Sequence, residues 1–255
     1  EAERPEVVSH QAARANVRES FEQPLTYAAV NVLGSVNVLE CCRLHGVRKI
    51  IYASTGGAVY GEPSWLPVPE DHPVRPLDPY GASKHHVEHY LQLYSLNYGL
   101  AYTALRYPNV YGPRQDPKGE AGVVAIFTGL MLGGGQPCIN GSGEQQRDFV
   151  HVSDVARANV LAMDRGDNEI INIGSGAGTD VNTIFSILAG LTGYTAPAKH
   201  GPAKLGEVQR IYLDATRARE ILGWTPQWPL KEGLASTVEY FRTRNREGVT
   251  TGSPA

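Results

Sequence analysis

Tyr80 and Lys84 are the residues whose types and spacing most directly suggest chemistry. They begin and end the segment 80–84 (Tyr-Gly-Ala-Ser-Lys), which follows Pro79 and precedes an apolar-patterned stretch at 87–96. Proline favours the first turn of a helix, so the sequence predicts that this segment opens one. Four residues make about one helical turn, which places the phenol and the ammonium on the same face. A nearby cation makes a phenol easier to ionise, so we predict that Tyr80 acts as a base nearer neutral pH than its ordinary pKa of about 10.

The Tyr-x-x-x-Lys spacing is a weak motif by itself, and the neighbouring segments give it weight. Upstream, the β-branched run Lys49–Ala53 leads into hydroxyls and glycines at 54–61 (Ser-Thr-Gly-Gly-Ala-Val-Tyr-Gly). Downstream lies the segment 105–114 (Leu-Arg-Tyr-Pro-Asn-Val-Tyr-Gly-Pro-Arg). Hydroxyls and glycines after an apolar run are typical of a buried strand that emerges into a site.

The elements that must position these residues are strands and helices in alternation, which predicts a parallel sheet with right-handed crossovers. The predicted strands are Glu6–His10, Lys49–Ala53, Ala101–Tyr107, Glu169–Ile173 and Val208–Asp214. A helical region follows the turn at Gln11–Arg14, is interrupted at Pro24 and resumes to about His45. The other predicted helices are Pro79–Tyr98, one capped by Thr179 or Asp180, Ala215–Leu222 and Leu230–Arg244.

Composition argues against several classes of function. A formal net charge of -3 over 255 residues gives no electrostatic basis for binding nucleic acid or an anionic membrane surface. No apolar run approaches the roughly 18 residues of a membrane span. The three cysteines form neither an even disulfide framework nor a zinc spacing, so we predict reduced thiols in a cytoplasmic protein. His85, His86 and His89 share one predicted helix without a further ligand motif, and we predict no metal site.

In this order and spacing, the segments 49–61, 80–84 and 105–114 resemble the extended short-chain dehydrogenase/reductase family, and within it the UDP-glucose 4-epimerases. The resemblance extends over nearly the whole chain. It implies an α/β fold with a Rossmann-like parallel sheet and a smaller α/β substrate-binding lobe. We therefore expect a cofactor domain at 1–115, joined by a returning strand near 169–173, and a nucleotide-sugar lobe at 116–255 that ends in a disordered tail at 245–255.

The start of the sequence departs from that family pattern. The family opens with a strand and a Gly-rich turn that holds a pyrophosphate at a helix N-terminus. By the resemblance, Glu6–His10 matches the fourth strand, so the sheet is expected to be N-terminally incomplete. Gly174–Gly178 is no substitute, because no acidic residue ends a strand about 20 residues later. Two explanations stay open: a fragment of a longer enzyme, or a truncated product with an incomplete cofactor site.

The resemblance also implies the catalytic roles. Tyr80 would take a proton from a sugar hydroxyl while NAD takes the hydride, and Lys84 would lower the pKa of Tyr80 and bind the nicotinamide ribose. Either Ser54 or Thr55 would supply the side-chain hydroxyl that bonds the reacting sugar hydroxyl. Thr55 is favoured, although a gapless match to some family members puts Gly56 at that position. Related dehydratases and decarboxylases carry an acid in the segment that here holds Gly57 and Ala58. Its absence favours epimerisation.

The remaining contacts are implied by the resemblance residue by residue. The NAD contacts are expected to be Ala12, Ala13, Asn31, Tyr80, Lys84, Tyr107 and Pro108. The contacts with a UDP-sugar substrate are expected to be Asn109, Gly122, Val123, Val124, Arg147, Lys204 and Glu207, with Asp148 orienting Arg147. A helix-interior Asn can instead bond a neighbouring loop, and an Arg can form a surface salt bridge, so Asn31 and Arg147 each have a structural alternative.

The sequence thus predicts NAD-dependent C4 epimerisation of a UDP-hexose. Two rivals stay open: a truncated nucleotide-sugar-binding protein without turnover, and another sugar-nucleotide oxidoreductase of the same family. The resemblance further implies a homodimer formed through a four-helix bundle. No nucleic acid or membrane partner is predicted.

Overall fold

The computed structural model of the protein describes residues 3–117, 122–204 and 207–250. Short strands are spread along all of these ranges. In chain order they are β1 (Val7–His10), β2 (Lys49–Thr55), β3 (Ala101–Tyr107), β4 (Asn109–Tyr111), β5 (Cys138–Asn140), β6 (Gln146–Arg147), β7 (Phe149–His151), β8 (Glu169–Asn172), β9 (Thr179–Asp180), β10 (Lys199–Gly201) and β11 (Arg210–Ile211).

Helices separate most of these strands. They are α1 (Val17–Glu22), α2 (Pro24–Tyr27), α3 (Gly34–Leu44), α4 (Pro79–Tyr98), α5 (Val123–Leu132), α6 (Val152–Ala162), α7 (Val181–Thr192) and α8 (Leu230–Thr250). A π-helical segment, Ala28–Leu33, joins α2 to α3, so the helix runs without a break from Pro24 to Leu44. A second one covers Ala218–Leu222.

The main sheet has four strands in the order β1-β2-β3-β8, and every pair in it is parallel. The predicted parallel sheet is therefore confirmed. Thr55 pairs with Tyr107, so β2 and β3 end at the same edge. Parallel strands place their carboxyl ends together, and in open α/β sheets that edge is where ligands bind.

Alternating side chains of the central strands point to opposite faces, and both faces are covered. Ile50 and Tyr52 of β2 belong to a buried cluster with Leu39 of α3 and Leu91 of α4. Ile51 points the other way, into a cluster that α6 and the segment 218–222 complete. Helices on both sides explain why every residue of β2 is buried.

A third cluster of buried residues joins three helices from the second half of the chain. Helices α5, α7 and α8 contribute Phe127, Ile184 and Leu234 to it. The short strands of this part of the chain pair as β4 with β7, β5 with β10, and β6 with both β9 and β11. The division into domains at 115/116 stays a prediction.

The C-terminal quarter departs from the predicted elements. The expected strand Val208–Asp214 is reduced to Arg210–Ile211 and an isolated bridge between Val68 and Leu213. The last helix continues to Thr250 instead of ending at Arg244, so residues 245–250 are helical where a disordered tail was expected. The rest of that predicted tail, 251–255, lies outside the described residues.

One helix meets the length and composition of a membrane span, which the sequence analysis did not anticipate. Pro24–Leu44 covers 21 residues with a mean hydropathy of 1.3 in its most apolar window. Its Asn31 side chain is buried and bonded to the Arg14 backbone and to Ser83. The helix therefore packs the face that carries Asn31 against the protein, while 28% of its most apolar window is buried.

Candidate active site

A cavity of about 720 Å³ opens at the carboxyl ends of β2 and β3. Its lining includes Thr55, Tyr80, Lys84 and Asn109, and also Arg147, Lys204 and Glu207. Residues from both halves of the sequence thus meet in one cavity, at the edge of the sheet that the topology selects.

Helix α4 presents Tyr80 to this cavity because its first turn is firmly defined. Asp78 is the N-cap, and its Oδ1 accepts a hydrogen bond of 2.7 Å from the Gly81 N–H. Pro79 occupies the first helical position, where its missing N–H costs nothing. The predicted helix Pro79–Tyr98 is confirmed at both ends, and Gly99 terminates it in a left-handed conformation.

Lys84 lies one turn into α4 and is almost completely buried, with 3% of its surface exposed. Its Nζ donates a 2.7 Å hydrogen bond to the Ala53 carbonyl and lies 4.7 Å from the centre of the Tyr52 ring. Burial lowers the pKa of Lys84 to about 8, and the charge of Glu88 acts in the opposite direction. The ammonium is therefore close to its titration point near neutral pH.

Glu88 was not predicted from the sequence, yet it is at the centre of a buried polar network. Its carboxylate accepts hydrogen bonds from Ser54 Oγ (2.6 Å) and from Arg106 Nε and Nη2 (2.9 and 2.6 Å). Arg106 Nη1 donates in turn to Tyr60 Oη at 2.7 Å. Although burial alone would raise it, these hydrogen bonds and the Arg106 charge hold the pKa of Glu88 at about 2. The signal was its position four residues after Lys84, on the face of the helix that also carries Tyr80.

The two candidate hydroxyls at the end of β2 have different surroundings. Ser54 Oγ is bonded to Glu88, whereas Thr55 Oγ1 and Asn109 Oδ1 each lie 3.8 Å from the point where a Cβ on Gly57 would stand. Thr55 and Asn109 therefore face a common space that Gly57 leaves open. Gly56 could not carry a hydroxyl side chain, because the Leu213 side chain fills the position of its Cβ.

The residues expected at the cofactor lie at different distances from the cavity. Ala13, Tyr107 and Pro108 line it, and Ala12 is not among the lining residues. The Tyr107 hydroxyl accepts a 2.7 Å hydrogen bond from Asn159 Nδ2, and burial raises the pKa of Tyr107. The small Ala13 side chain and the buried Lys84 cation fit one ribose end of a dinucleotide, which needs close backbone approach and hydrogen-bond donors.

Asn31 is placed differently from the expectation that it contacts cofactor. Its Oδ1 accepts from the Arg14 N–H at 2.8 Å, and its Nδ2 donates to the Arg14 carbonyl and to Ser83 Oγ, both at 2.9 Å. The side chain is buried, and its amide is occupied by the loop after β1 and by α4. These contacts support the alternative that a helix-interior Asn bonds a neighbouring loop. Asn31 connects the loop after β1 to α4, the helix that carries Lys84.

Arg147 and Glu207 both line the cavity and form an ion pair, with Nη2 3.1 Å from Oε1. Burial lowers the pKa of Arg147, although its guanidinium stays charged at any ordinary pH. Lys204 lines the same region, and residues 205 and 206 between it and Glu207 lie outside the described residues. Two cations and one acid thus converge where an anionic group could bind.

Asp148 does not orient Arg147, which corrects the expectation. Its carboxylate accepts from Ser175 Oγ at 2.6 Å and from the N–H groups of Ser175 and Leu213 at 2.9 and 3.0 Å. These bonds connect Asp148, which lies between β6 and β7, to the loop after β8 and to the segment that contains Leu213. Asp148 is therefore a structural group behind the cavity wall.

The expected diphosphate loop lies at the start of α5. Gly122 is its N-cap and lines the cavity, and Val123 is the first helical residue. The Val124 side chain is buried in the core of the smaller lobe, so that only backbone groups could serve a ligand here. Free N–H groups at a helix start favour anions.

Several lining residues were missed because nothing in their local sequence marks them. They are Gln11, Arg18, Phe21, Leu77 and Gln115. Only the tertiary fold brings them to the cavity. No group of three or more His, Cys, Asp or Glu residues in the described ranges has the geometry of a metal site.

Comparison with known proteins identifies the family. The NAD dependent epimerase/dehydratase family matches residues 1–174. The putative UDP-glucose 4-epimerase of Methanocaldococcus jannaschii is 52% identical over 241 residues, covering 94% of this chain and 78% of that protein.

Solved structures agree with this result. UDP-glucose 4-epimerase from Thermotoga maritima with UDP-glucose superposes with a TM-score of 0.94 at 51% identity, covering 95% of this chain and 79% of that one. The Thermus thermophilus UDP-glucose 4-epimerase complex with NAD gives a TM-score of 0.88 at 43% identity, covering 94% and 78%. The chain therefore belongs to the NAD dependent epimerase/dehydratase family.

Proposed function

We propose that the protein epimerises C4 of a UDP-hexose of the UDP-glucose/UDP-galactose type, with NAD as cofactor. The observation that carries the proposal is one cavity whose lining includes Tyr80, Lys84 and Thr55 together with Arg147 and Glu207. The likeness to epimerases solved with UDP-glucose and with NAD supports the choice of both ligands.

Tyr80 is the proposed base. It removes the proton from the C4 hydroxyl, and the neighbouring Lys84 ammonium stabilises the phenolate that this transfer needs. The chemistry that bound NAD supplies is reversible acceptance of a hydride from the same carbon. After the keto-sugar turns over in the cavity, the hydride returns to the other face of C4 and Tyr80 returns the proton to the C4 oxygen.

Thr55 is the proposed hydroxyl that bonds the reacting oxygen, since it faces the space beside Gly57 and Asn109 while Ser54 is bonded to Glu88. Gly57 and Ala58 place no carboxyl beside the sugar. Elimination or decarboxylation would need an additional acid–base group there, so the ketone is reduced again, and epimerisation is the result.

The UDP part of the substrate is assigned to Arg147, Lys204 and Glu207. Arg147 grips the diphosphate through its planar guanidinium, Lys204 adds a point charge, and Glu207 accepts from the ribose hydroxyls. The backbone of Gly122–Val124 supplies N–H groups at the start of α5, and Asn109 contacts the sugar. Glu207 pairs with Arg147, so the acid proposed for the ribose lies beside the cation proposed for the diphosphate.

We further propose that NAD contacts Ala12, Ala13, Tyr107 and Pro108, and that the ribose is bound by Tyr80 and Lys84. Asn31 acts on this site indirectly, by fixing the loop that carries Ala12 and Ala13. Three cysteines with no disulfide are consistent with our proposal of a cytoplasmic protein.

The test is the conversion of UDP-galactose to UDP-glucose by the chain with NAD added. Tyr80→Phe is expected to lower turnover by roughly 10²- to 10⁴-fold, because the proton acceptor is lost, while UDP binding stays near wild type. Tyr98→Phe is the matched control, since Tyr98 lies at the exposed end of the same helix, and it should leave turnover unchanged.

Equal turnover in Tyr80→Phe and wild type would overturn the role of Tyr80. A wild-type chain that binds UDP without any turnover would contradict the epimerase proposal and support the rival of a nucleotide-sugar-binding protein.

A further inference from the structure

Glu88 lies one helical turn beyond Lys84, as Lys84 lies one turn beyond Tyr80, so the three side chains follow one face of α4. The Glu88 side chain is 2% exposed. A carboxylate at such a position is tolerated only when its charge is compensated, and Arg106 provides the compensation through two hydrogen bonds.

The charge of Glu88 also matters to Lys84. The groups that interact with the Lys84 ammonium are Glu88 on its own helix, Tyr52 from β2 and His10 from β1. Tyr80 precedes Lys84 by one turn on the same helix. Burial lowers the pKa of His10 and raises that of Tyr52, so both are neutral around pH 7. Among these described groups, Glu88 is the one that carries a negative charge at that pH.

The same carboxylate joins the two strand ends that border the cavity. Ser54, which precedes Thr55, donates to Glu88 Oε1 at 2.6 Å, and Arg106, which precedes Tyr107, donates to both carboxylate oxygens. His85 Nδ1 lies 3.0 Å from Oε2 and occupies the remaining side. Helix α4, β2 and β3 are thus connected at one buried group.

Stability alone does not account for a buried ion pair at this place. Replacing such a pair by well-packed apolar residues is often neutral or stabilising, because both charges must be desolvated. A buried carboxylate one turn from a buried lysine has an electrostatic effect that an apolar residue could not supply.

We infer that Glu88 is a positioning residue that keeps the Lys84 ammonium charged in its buried position and, through Ser54, holds the strand end that carries Thr55. Arg106 fixes the carboxylate in place for both tasks. This inference rests on the proposed function for the role of Lys84 and extends it to a residue that contacts neither ligand.

The direct test is the titration of Lys84 in protein labelled with ¹³C and ¹⁵N at its six lysines, with the Lys84 signal assigned from Lys84→Arg. We expect a midpoint near pH 8 in the wild type. In Glu88→Gln the ammonium loses its compensating charge and releases its proton more easily, so the midpoint should fall to about 7 or lower. Glu88→Asp keeps the charge and should restore a value close to wild type.

Tyr60→Phe is the matched control. It removes the hydroxyl that bonds Arg106 and Asn172 in the same buried network, without changing a charge near Lys84. We expect lower thermal stability with an unchanged Lys84 midpoint. A merely structural role of Glu88 would give the same pattern in Glu88→Gln, and that outcome would overturn the inference.

A second variant covers the case in which Glu88→Gln does not fold. Glu88→Gln/Arg106→Gln removes both charges of the ion pair, so neither Glu88 nor Arg106 is left buried without its partner. Its Lys84 midpoint should also fall below that of the wild type, because Glu88 is the charge that acts on Lys84. An unchanged midpoint in this folded variant would equally contradict the inference.

The titration does not depend on turnover. A wild-type chain without activity would contradict the proposed function, and the Lys84 midpoint would still test the role of Glu88. Where turnover is present, its decline at alkaline pH should move to lower pH in Glu88→Gln, with little change in the KM for the UDP-sugar.

Discussion

At the scale of single residues, Ser54 and Thr55 show how one position along a strand changes the use of a hydroxyl. Successive side chains of β2 point to opposite faces. Both residues line the cavity, but the Ser54 hydroxyl is bonded to the Glu88 carboxylate of α4, whereas the Thr55 hydroxyl lies beside Gly57. The first hydroxyl therefore belongs to the buried network, and the second is available to a ligand.

This difference predicts opposite outcomes for two conservative variants. Thr55→Val keeps the volume and removes the hydroxyl, so turnover should fall by roughly 10²-fold with little change in thermal stability. Ser54→Ala takes one hydrogen bond from a buried carboxylate, which should lower the free energy of unfolding by about 1–3 kcal/mol and change turnover far less. Parallel measurements of kcat and thermal unfolding check both. A loss of turnover in Ser54→Ala that equals the loss in Thr55→Val would contradict the assignment.

The residue scale is also where prediction from sequence was least complete. Tyr80 and Lys84 could be paired because one helical turn relates them, whatever surrounds the helix. Asn31 and Asp148 have short polar side chains whose partners, Arg14 and Ser175, are set by how distant segments meet. No local pattern encodes such contacts, so a sequence could mark these residues as functional without revealing what they bind.

At the scale of elements, the start of α4 is fixed by how closely it approaches the loop after β2. A Cβ added to Gly81 would lie 2.9 Å from the carbonyl oxygen and 3.1 Å from the Cβ of Ala58. Backbone cannot yield as a flexible side chain can. The glycine between Tyr80 and Lys84 is therefore required for the helix to reach its position at the cavity.

Gly81→Ala should push the first turn of α4 away from Ala58, which we expect to cost about 1–3 kcal/mol of stability and to lower turnover by displacing Tyr80. Gly190→Ala is the matched control, because Gly190 lies in α7 and its added Cβ would meet nothing within 4 Å. That variant should gain about 0.5–1 kcal/mol. Thermal unfolding and the epimerase assay together check the pair, and a Gly81→Ala protein as stable and active as wild type would refute the steric argument.

The helices and strands were predictable where residues that begin or end a helix, such as Pro and Gly, agree with the periodicity of apolar residues. Pro79 and Gly99 mark the two ends of α4, and the strand that follows was predicted with the bounds it has, Ala101–Tyr107. The predicted strand Val208–Asp214 failed because pairing is a long-range property. Only Arg210 and Ile211 find a partner in β6, and the Leu213 N–H is bonded to the Asp148 carboxylate instead.

At the scale of the whole molecule, two helices leave a large apolar surface exposed on one side. α4 and the helix that runs from Pro24 to Leu44 pack side by side, and each turns leucines to solvent. Leu33 is 59% exposed, and Leu93 and Leu96 are 51% and 75% exposed. Exposed leucines on two packed helices are typical of an interface, and they fit the homodimer through a four-helix bundle that the family resemblance implies.

Leu93→Glu should therefore raise the dimer dissociation constant by about 100-fold or more, because it places an unpaired carboxylate in the middle of the proposed interface. Light scattering coupled to size-exclusion chromatography measures the change in mass. Val160→Glu is the control: Val160 on α6 is 64% exposed outside this pair of helices, and the dimer should persist. Because α4 also carries Tyr80 and Lys84 on its inner side, the monomeric variant further tests whether association stiffens the site. Unchanged mass in Leu93→Glu would exclude the four-helix bundle as the interface.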